Sequence, residues 1–297
     1  MSKIEIRKLQ IVGNRSFSIS LPKWWVESKK LKAQDNVFIE PTNSNDLLIR
    51  TETISTLDNS VSINIGEIKN LSGFILLCYV NNIDLVKIHS KKFDAETIRK
   101  LNHALRHLDG YEITSESESL IEISFLFNDI NISLDRIMRR MIYLTKLLID
   151  SLQKNDKNSI NDVENTIDRL YHLAKRIIFK SQIDSNVRSQ NGIINQKDLF
   201  FIWDSFKKIE NIADTLVKLV DIGINQKDCN LLQSLLDFIE KAWQNSKNSD
   251  ALILKFSEIK ILLKDSEKKD LLDAIYDLSS DILENQSYIN MNSLYFK

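Results

Sequence analysis

Cysteine is nearly absent from this chain, whose 297 residues include only two. Cys78 and Cys229 lie far apart and outside any Cys-x-x-Cys or cysteine-histidine spacing. The sequence therefore argues against a disulfide framework and favours buried free thiols in a reducing compartment. Long apolar runs are missing as well, because the longest, from Phe74 to Val80, is far below the roughly 20 residues that cross a bilayer. We expect a cytoplasmic protein with no membrane span.

The sequence signatures of catalysis are also missing. There is no glycine-rich phosphate loop, no Gly-x-Ser-x-Gly and no His-Glu-x-x-His, and no nucleophile is placed recognisably beside a base. An enzyme is therefore the least expected class of function. The apolar content, 43% of the residues, is enough to bury a sizeable core, and the length allows two or three domains.

Charge is distributed unevenly along the chain. The formal net charge is −1, but residues 1–32 carry eight basic and two acidic side chains, a net charge of +6, so the remaining residues sum to −7. Such asymmetry indicates that only the N-terminal region meets a polyanion. We expect the candidates for DNA contact to have no acidic partner at pairing distance within their own strand or helix. They are Arg7, Lys8, Arg15 and Lys23 for the phosphates, and Asn14 for the bases.

Hydrophobic periodicity divides the chain into three segments. Residues 1–53 alternate as β-strands, interrupted by one short helix that begins at Pro22. Residues 54–128 mix strand and helix patterns and predict a small α+β domain. Residues 129–290 repeat apolar residues at three and four, which predicts six helices in an antiparallel bundle. Within this segment, residues 181–195 are polar and predict a flexible loop.

Two predicted helices of the third segment carry matching carboxylate pairs. On a helical wheel each pair lies at the same edge of its helix's apolar stripe, so two adjacent helices could present four carboxylates to one cation. Iron, zinc, manganese and magnesium all fit such a set. The alternative is a solvated acidic edge, since carboxylates four residues apart are common on helices. The four candidate ligands are Glu164, Asp168, Glu210 and Asp214.

A histidine pair offers a second candidate ligand set. His103 and His107 are four residues apart on a predicted helix, and this spacing allows two imidazoles to chelate a metal from one helical face. The sequence shows no third ligand nearby. An exposed helix surface is therefore the favoured interpretation.

At this point the chain resembles a known family. KKIENIADTLVKLV is similar to the Glu-Arg-Ile-(Gly/Ala)-Asp-His signature of the PhoU phosphate-uptake regulators, and VENTIDRLYHLAKR is similar to its partner, Glu-x-x-x-Asp-x-Leu-Tyr. The helix ISLDRIMRRMIYLTKLLIDSL matches the one that opens the bundle in the archaeal branch, where an AbrB-type swapped-hairpin domain precedes it. The hallmark of that domain is matched here by RKLQ, Gly13 and SISLPKWW. This chain departs from the family at Thr215, where a histidine is common.

The resemblance implies a multidomain α+β fold. A swapped-hairpin β-barrel built from two chains would come first, then the small α+β domain, then an antiparallel helical bundle of two three-helix units. It also implies a homodimer, basic residues against double-stranded DNA, and iron, zinc or a similar ion on the acidic cluster. We expect the two tryptophans in the core and dimer interface rather than stacked on bases, because so small a half-barrel needs bulky side chains.

Two functions remain open at this stage. The first is a phosphate-responsive transcription regulator. The second is an adaptor that contacts a phosphate-transporter ATPase or another phosphate-signalling protein, with the hairpin domain serving only to dimerise. Salt-dependent binding to duplex DNA discriminates between them. For the DNA contacts themselves, the alternative is a set of ordinary solubilising charges on an exposed sheet edge.

Overall fold

A computed structural model describes residues 5–13, 16–41, 47–51, 59–127, 132–244, 256, 259 and 268–295, without the side chains of 40 and 293–295. The chain divides into two compact units, Met1–Asp58 and Asn59–Lys297. The predicted mixed α+β composition and the C-terminal helical region are confirmed. The predicted boundary at 53/54 lies in an interval outside the described residues, and the predicted boundary at 128/129 falls inside the second unit.

The N-terminal unit consists of two antiparallel hairpins around a short helix. In the described part of a single chain, these strands close no barrel. The helix begins one residue after the predicted start, because Pro22 has extended backbone angles and occupies the N-cap position. The elements are β1 (Gln10–Val12), β2 (Ser16–Ser18), α1 (Lys23–Ser28), β3 (Phe38–Pro41) and β4 (Leu47–Arg50).

No described residue of this unit is buried. Large apolar side chains on both hairpins face solvent in the single chain, among them Ile11 and Phe17, which are 73% and 69% exposed. Folding such a segment alone gains little free energy from burial of apolar surface. The unit therefore needs a further surface to pack against.

The second unit begins with a four-stranded mixed sheet in the order β5-β6-β8-β7. The β5–β6 pair is parallel and the other two pairs are antiparallel. Each of the two helices begins at a side-chain cap, since Asn70 Oδ1 accepts from Gly73 N and Asp94 Oδ1 from Thr97 N. The elements are β5 (Ser60–Asn64), α2 (Leu71–Val80), β6 (Leu85–His89), α3 (Ala95–Leu105), β7 (Tyr111–Glu116) and β8 (Leu120–Phe125).

The rest of the second unit is helical. Ser133, Asp156 and Asp184 cap the starts of three helices with their side chains, and short connections favour antiparallel packing of consecutive helices. Most of the fifth predicted helix (251–264) lies outside the described residues. The helices are α4 (Leu134–Gln153), α5 (Lys157–Ile183), α6 (Ser185–Gln190), α7 (Asp198–Val217), α8 (Gln226–Gln244) and α9 (Lys269–Tyr295). None of the described helices combines the length and apolarity needed to cross a bilayer.

The flexible loop predicted over residues 181–195 is wrong. α5 continues to Ile183, and Asp184 then caps the short helix α6. Val187 and Ile193 are buried in the main core. These two buried side chains are six positions apart, a spacing outside the three-and-four pattern that indicates a helix.

A buried arginine joins the sheet lobe, our name for residues 59–127, to the helices that follow it. Arg176 of α5 has no solvent exposure, and its guanidinium donates to the carbonyl oxygen of Tyr79 and to the carboxylate of Asp84. Its Cζ lies 3.7 Å from the ring centroid of Phe125, and the rings of Tyr79 and Tyr111 also lie within 6 Å of it. Charge, hydrogen bonding and ring stacking thus fix α5 on the sheet lobe.

Candidate functional site

Helices α5 and α7 pack together and bring three of the four predicted carboxylates into one group. Glu164, Asp168 and Asp214 each offer an oxygen, and these oxygens all lie within 4.8 Å of one another. The first two residues are one helical turn apart on α5, and the third faces them from α7. We call these three residues the acidic triad. Among the described residues, no other trio of histidine, cysteine or acidic side chains converges in this way.

The electrostatics of the acidic triad are unfavourable without a cation. Burial raises the pKa of Asp168 to about 6, and repulsion from Glu164, Glu210 and Asp214 adds to this effect. Burial also raises the pKa of Glu164, with repulsion from Asp214 and Glu210 as the smaller causes. Two carboxylates that resist ionisation next to a third indicate a site that a positive ion would stabilise.

Glu210, the fourth predicted ligand, is engaged elsewhere. Its Oε2 lies 2.6 Å from Lys207 Nζ, and its side chain is largely buried. The same ammonium group lies 5.2 Å from the ring centroid of Tyr171, so packing holds the ion pair in place. Glu210 is therefore a nearby negative charge rather than a member of the acidic triad.

The residue that follows Asp214 offers no ligand to the acidic triad. Thr215, where a histidine is common, is buried and donates its hydroxyl hydrogen to the carbonyl oxygen of Asn211 in its own helix. An ion bound at the acidic triad would therefore be coordinated by oxygen atoms only. Oxygen ligands suit magnesium and manganese and accept ferric iron and zinc.

The geometry of the acidic triad fits such an ion. Ligand oxygens around an octahedral ion with bonds of about 2.1 Å are separated by about 3 to 4 Å. Oxygens that lie within 4.8 Å of one another reach this spacing through small rotations of the side chains. Water or an anion could complete the coordination on the open side.

Three of the five predicted DNA-contact residues lie in the described part of the chain. Arg7, Lys8 and Lys23 are all exposed, whereas Asn14 and Arg15 lie outside the described residues. The expectation that no acid pairs with the basic residues is wrong for two of them. Arg7 forms an ion pair with Glu5, two residues away and before the start of β1. Lys23 Nζ lies 3.7 Å from Glu27 Oε1, four residues along α1.

The two adjacent tryptophans have different surroundings. Trp24 is 54% exposed in the single chain, and its Nε1 donates to Glu5 Oε1 at 3.0 Å. Trp25 is only partly exposed. Their predicted place in a dimer core requires a second chain and stays a prediction.

His172 and Arg176 are features of the site region that sequence analysis missed. Burial lowers the pKa of His172 to about 4, and repulsion from Lys175, His107 and Lys207 lowers it further. His172 follows Asp168 by four residues, so its position on the same face of α5 was readable from the sequence. No sequence pattern predicts that the charge of His107 acts on it.

Comparison of the chain with models of protein families, with curated proteins and with solved structures gave no match in any of the three.

Proposed function

We propose that the protein is a phosphate-responsive transcription regulator of the PhoU type. In this proposal, the N-terminal unit is an AbrB-type domain that dimerises and binds double-stranded DNA, and the helical bundle is a metal-dependent sensor. The protein would act in the cytoplasm without catalysing a reaction.

The observation that carries the proposal is the exposed apolar surface of the N-terminal unit. Leu9, Ile11 and Phe17 are each at least two-thirds exposed in the single chain. Burying one such side chain is worth roughly 1.5–3 kcal/mol, and a symmetric pairing of two chains would bury each of them twice. A second copy of the same hairpins supplies the missing core, as in a swapped-hairpin barrel.

Charge supports DNA as the ligand of that dimer. Residues 1–32 carry a net charge of +6, and two-fold symmetry doubles that charge in the assembly. DNA phosphates are the polyanion that such a surface fits, and each phosphate neutralised contributes about −0.9 to the log–log slope of affinity against salt. Sequence specificity would come from DNA shape or from base contacts near Asn14.

The acidic triad supports a cation-dependent sensor. Three carboxylates repel phosphate, whereas a cation held between Glu164, Asp168 and Asp214 has open positions for an anion. Phosphate oxygens are suitable ligands for iron, zinc, manganese or magnesium. Binding of phosphate to the metal would then change the charge between α5 and α7.

The DNA-binding part is tested by titrating a random-sequence duplex at several salt concentrations. A Lys8→Ala, Lys23→Ala variant should bind every duplex more weakly, with a shallower salt slope and an unchanged dimer. Lys91→Ala removes an exposed lysine of the second unit and serves as the matched control. Unchanged binding by the double variant, or no duplex binding by the natural chain at low salt, contradicts the proposal.

One observation favours the adaptor as a second candidate. Arg7 and Lys23 each have a carboxylate partner within their own unit, which lowers the charge available to phosphates. Exposed ion pairs are worth little, so DNA could displace them. A Glu27→Gln variant decides between the two, because it should strengthen DNA binding by the regulator and leave an adaptor unaffected.

The metal-binding part is tested by elemental analysis of protein purified without a chelator. Glu164→Gln, Asp214→Asn should lose the bound metal because it removes two of the three converging oxygens. Glu210→Gln is the matched control and should retain most of it, since Lys207 already occupies that carboxylate. Equal metal content in the natural chain and in the double variant would count against the site.

A further inference from the structure

A cavity of about 190 Å³ lies where α7 begins and α8 ends, and α9 contributes to its lining. An engineered cavity of about 150 Å³ accommodates benzene, so this one has room for a ligand built on a single ring. Ile194 lines the cavity and is 60% exposed, so the cavity opens at the surface. The apolar residues of the lining are Ile193, Ile194, Ile202, Ile289 and Trp243.

A buried carboxylate interrupts this apolar lining. Asp198, the first residue of α7, lines the cavity and is only 4% exposed. Its Oδ1 accepts a hydrogen bond from Asn292 Nδ2 of α9 at 2.6 Å. An asparagine amide satisfies a hydrogen bond of the carboxylate but does not compensate its charge. Within the described part of the chain, Asp198 forms no ion pair.

The electrostatics of Asp198 suit a positively charged ligand. Burial raises the pKa of its carboxyl, while the hydrogen bond from Asn292 lowers it by less. The charge of Lys197 and hydrogen bonds from Asn195 make smaller contributions that also lower this pKa. Lys197 lines a different cavity, together with Trp203. Buried carboxylates are normally paired with a cation, because an isolated charge loses its hydration when it leaves water.

A second polar side chain of the lining lacks a partner. Gln286 of α9 is 7% exposed, and its Nε2 is shielded from solvent with no hydrogen-bond partner among the described residues. An amide that is buried without a partner costs free energy. Rotation about the last bond of the side chain presents either the oxygen or the nitrogen to the cavity. A ligand that hydrogen-bonds to this amide would therefore be stabilised.

Trp243 supplies an aromatic wall. Its Nε1 donates to Asp135 Oδ1 of α4 at 3.0 Å. Its ring meets the ring of Phe206 edge-on, with centroids 6.0 Å apart. These two contacts hold the indole in place. The face of an indole attracts cations and packs well against apolar groups.

The composition of the lining excludes other classes of ligand. A hard metal ion takes six or more oxygen ligands, whereas Asp198 is the one acid among the residues that line the cavity. The same carboxylate repels a phosphate or another anion. A purely apolar molecule would leave both Asp198 and Gln286 without a new partner. The lining therefore fits a molecule with a positively charged end and an apolar body.

We propose that this cavity binds a small primary amine that carries a compact apolar or aromatic group. Asp198 pairs with the ammonium group, Gln286 forms a second hydrogen bond to the ligand, and the isoleucines and Trp243 enclose its body. Asp214 of the acidic triad is sixteen residues further along α7, which is about 24 Å at 1.5 Å per residue. The amine site is therefore separate from the acidic triad, and it needs neither a metal nor DNA.

The first test titrates the full-length protein by calorimetry at pH 7.5 with three ligands of similar shape. 2-Phenylethylamine should bind with a millimolar or tighter dissociation constant. 2-Phenylethanol replaces the ammonium group by a hydroxyl and should bind at least 10-fold more weakly, and the anion phenylacetate should not bind. Equal binding of the amine and the alcohol, or no binding of the amine, overturns the proposal. This comparison needs no variant, so it decides the question even if a variant fails to fold.

The second test removes the charge from the cavity. Asp198→Asn keeps an oxygen for Asn292 and should weaken 2-phenylethylamine binding at least 10-fold. Asp204→Asn is the matched control, because Asp204 is another aspartate of α7 that accepts from an amide of α9, at 2.9 Å from Asn285 Nδ2. It should leave the affinity unchanged, as should the triad variant Glu164→Gln, Asp214→Asn. Unchanged affinity in Asp198→Asn, or loss of binding in the triad variant, contradicts the site.

A fluorescence measurement locates the ligand. Binding of 2-phenylethylamine beside Trp243 should change the emission of that indole. The change should disappear in Trp243→Phe and persist in Trp203→Phe, because Trp203 lines the other cavity. A response that persists in Trp243→Phe and disappears in Trp203→Phe would place the amine elsewhere and overturn the proposal.

Discussion

Replacing Asp168 by asparagine should stabilise the metal-free protein at neutral pH. The pKa of its carboxyl rises from 3.8 to about 6 in the folded state, and each pKa unit corresponds to about 1.4 kcal/mol. The full shift would amount to about 3 kcal/mol. Because the carboxylate is partly exposed to solvent, screening reduces the expected gain to about 1–2 kcal/mol. Asparagine keeps the shape of the side chain and removes the charge.

The sign of the effect follows from proton binding. Between pH 3.8 and about 6, the folded protein holds a proton on Asp168 that the unfolded chain has released. The free energy of unfolding therefore falls as pH rises through this window, and the penalty is complete above it. Well below pH 3.8 the carboxyl is protonated in both states, so the difference in stability between the variant and the natural chain should shrink as the pH falls toward that value.

Urea unfolding in the presence of a chelator, at pH 7.5 and at pH 4, measures the gain in stability and its dependence on pH. Asp162→Asn replaces an exposed aspartate of the same helix and should change stability by less than about 0.5 kcal/mol. Addition of manganese or zinc should stabilise the natural chain and leave Asp168→Asn unaffected. Destabilisation of metal-free Asp168→Asn at pH 7.5, or a gain of equal size at both pH values, would refute the reasoning.

Three further changes test the fold and the dimer. Arg176→Lys should lower the free energy of unfolding by about 3 kcal/mol, measured in urea, since lysine cannot reproduce the fork that binds the Tyr79 carbonyl and Asp84. Gly110→Ala should cost about 2 kcal/mol in the same assay, because φ is +89° and a Cβ would lie 2.8 Å from the ring of Phe125. Phe17→Ser should weaken dimerisation at least 10-fold in analytical ultracentrifugation, as each dimer would lose two buried rings. A Phe17→Ser dimer of unchanged strength, or a natural chain that stays monomeric and folded at low micromolar concentration, contradicts the swapped-hairpin proposal.

Local sequence patterns predicted much of the secondary structure. The sheet lobe was predictable because short alternating runs and one capped amphipathic helix carry their own signals, as the Asp94 cap shows. The prediction of a flexible loop over residues 181–195 was wrong because this segment is ordered by the burial of Val187 and Ile193 in the main core, which local periodicity does not indicate. Helix propensity and hydrophobic pattern do not predict the conformation of a segment whose structure is set by packing against elements distant in sequence.

The acidic cluster could be predicted only in part. A helical wheel gives the phase of each carboxylate on its own helix, which was sufficient to select Glu164, Asp168 and Asp214. A helical wheel does not show which side chains come into contact when two helices pack. It also does not show which carboxylate forms an ion pair with a neighbouring lysine. Lys207, one turn before Glu210, forms an ion pair with it and so keeps this carboxylate out of the acidic triad.

The three aromatic rings around Arg176 limit where the second unit could be cut into fragments. A fragment that ends near residue 128 would contain Tyr79, Tyr111 and Phe125 but not the cation they enclose. A fragment of the helices alone would expose a guanidinium that is fully enclosed in the whole chain. Neither piece keeps its native surface, so recombination or proteolysis at that point would damage both parts at once. The sheet lobe and the helices are therefore expected to fold and unfold together, as a single cooperative unit.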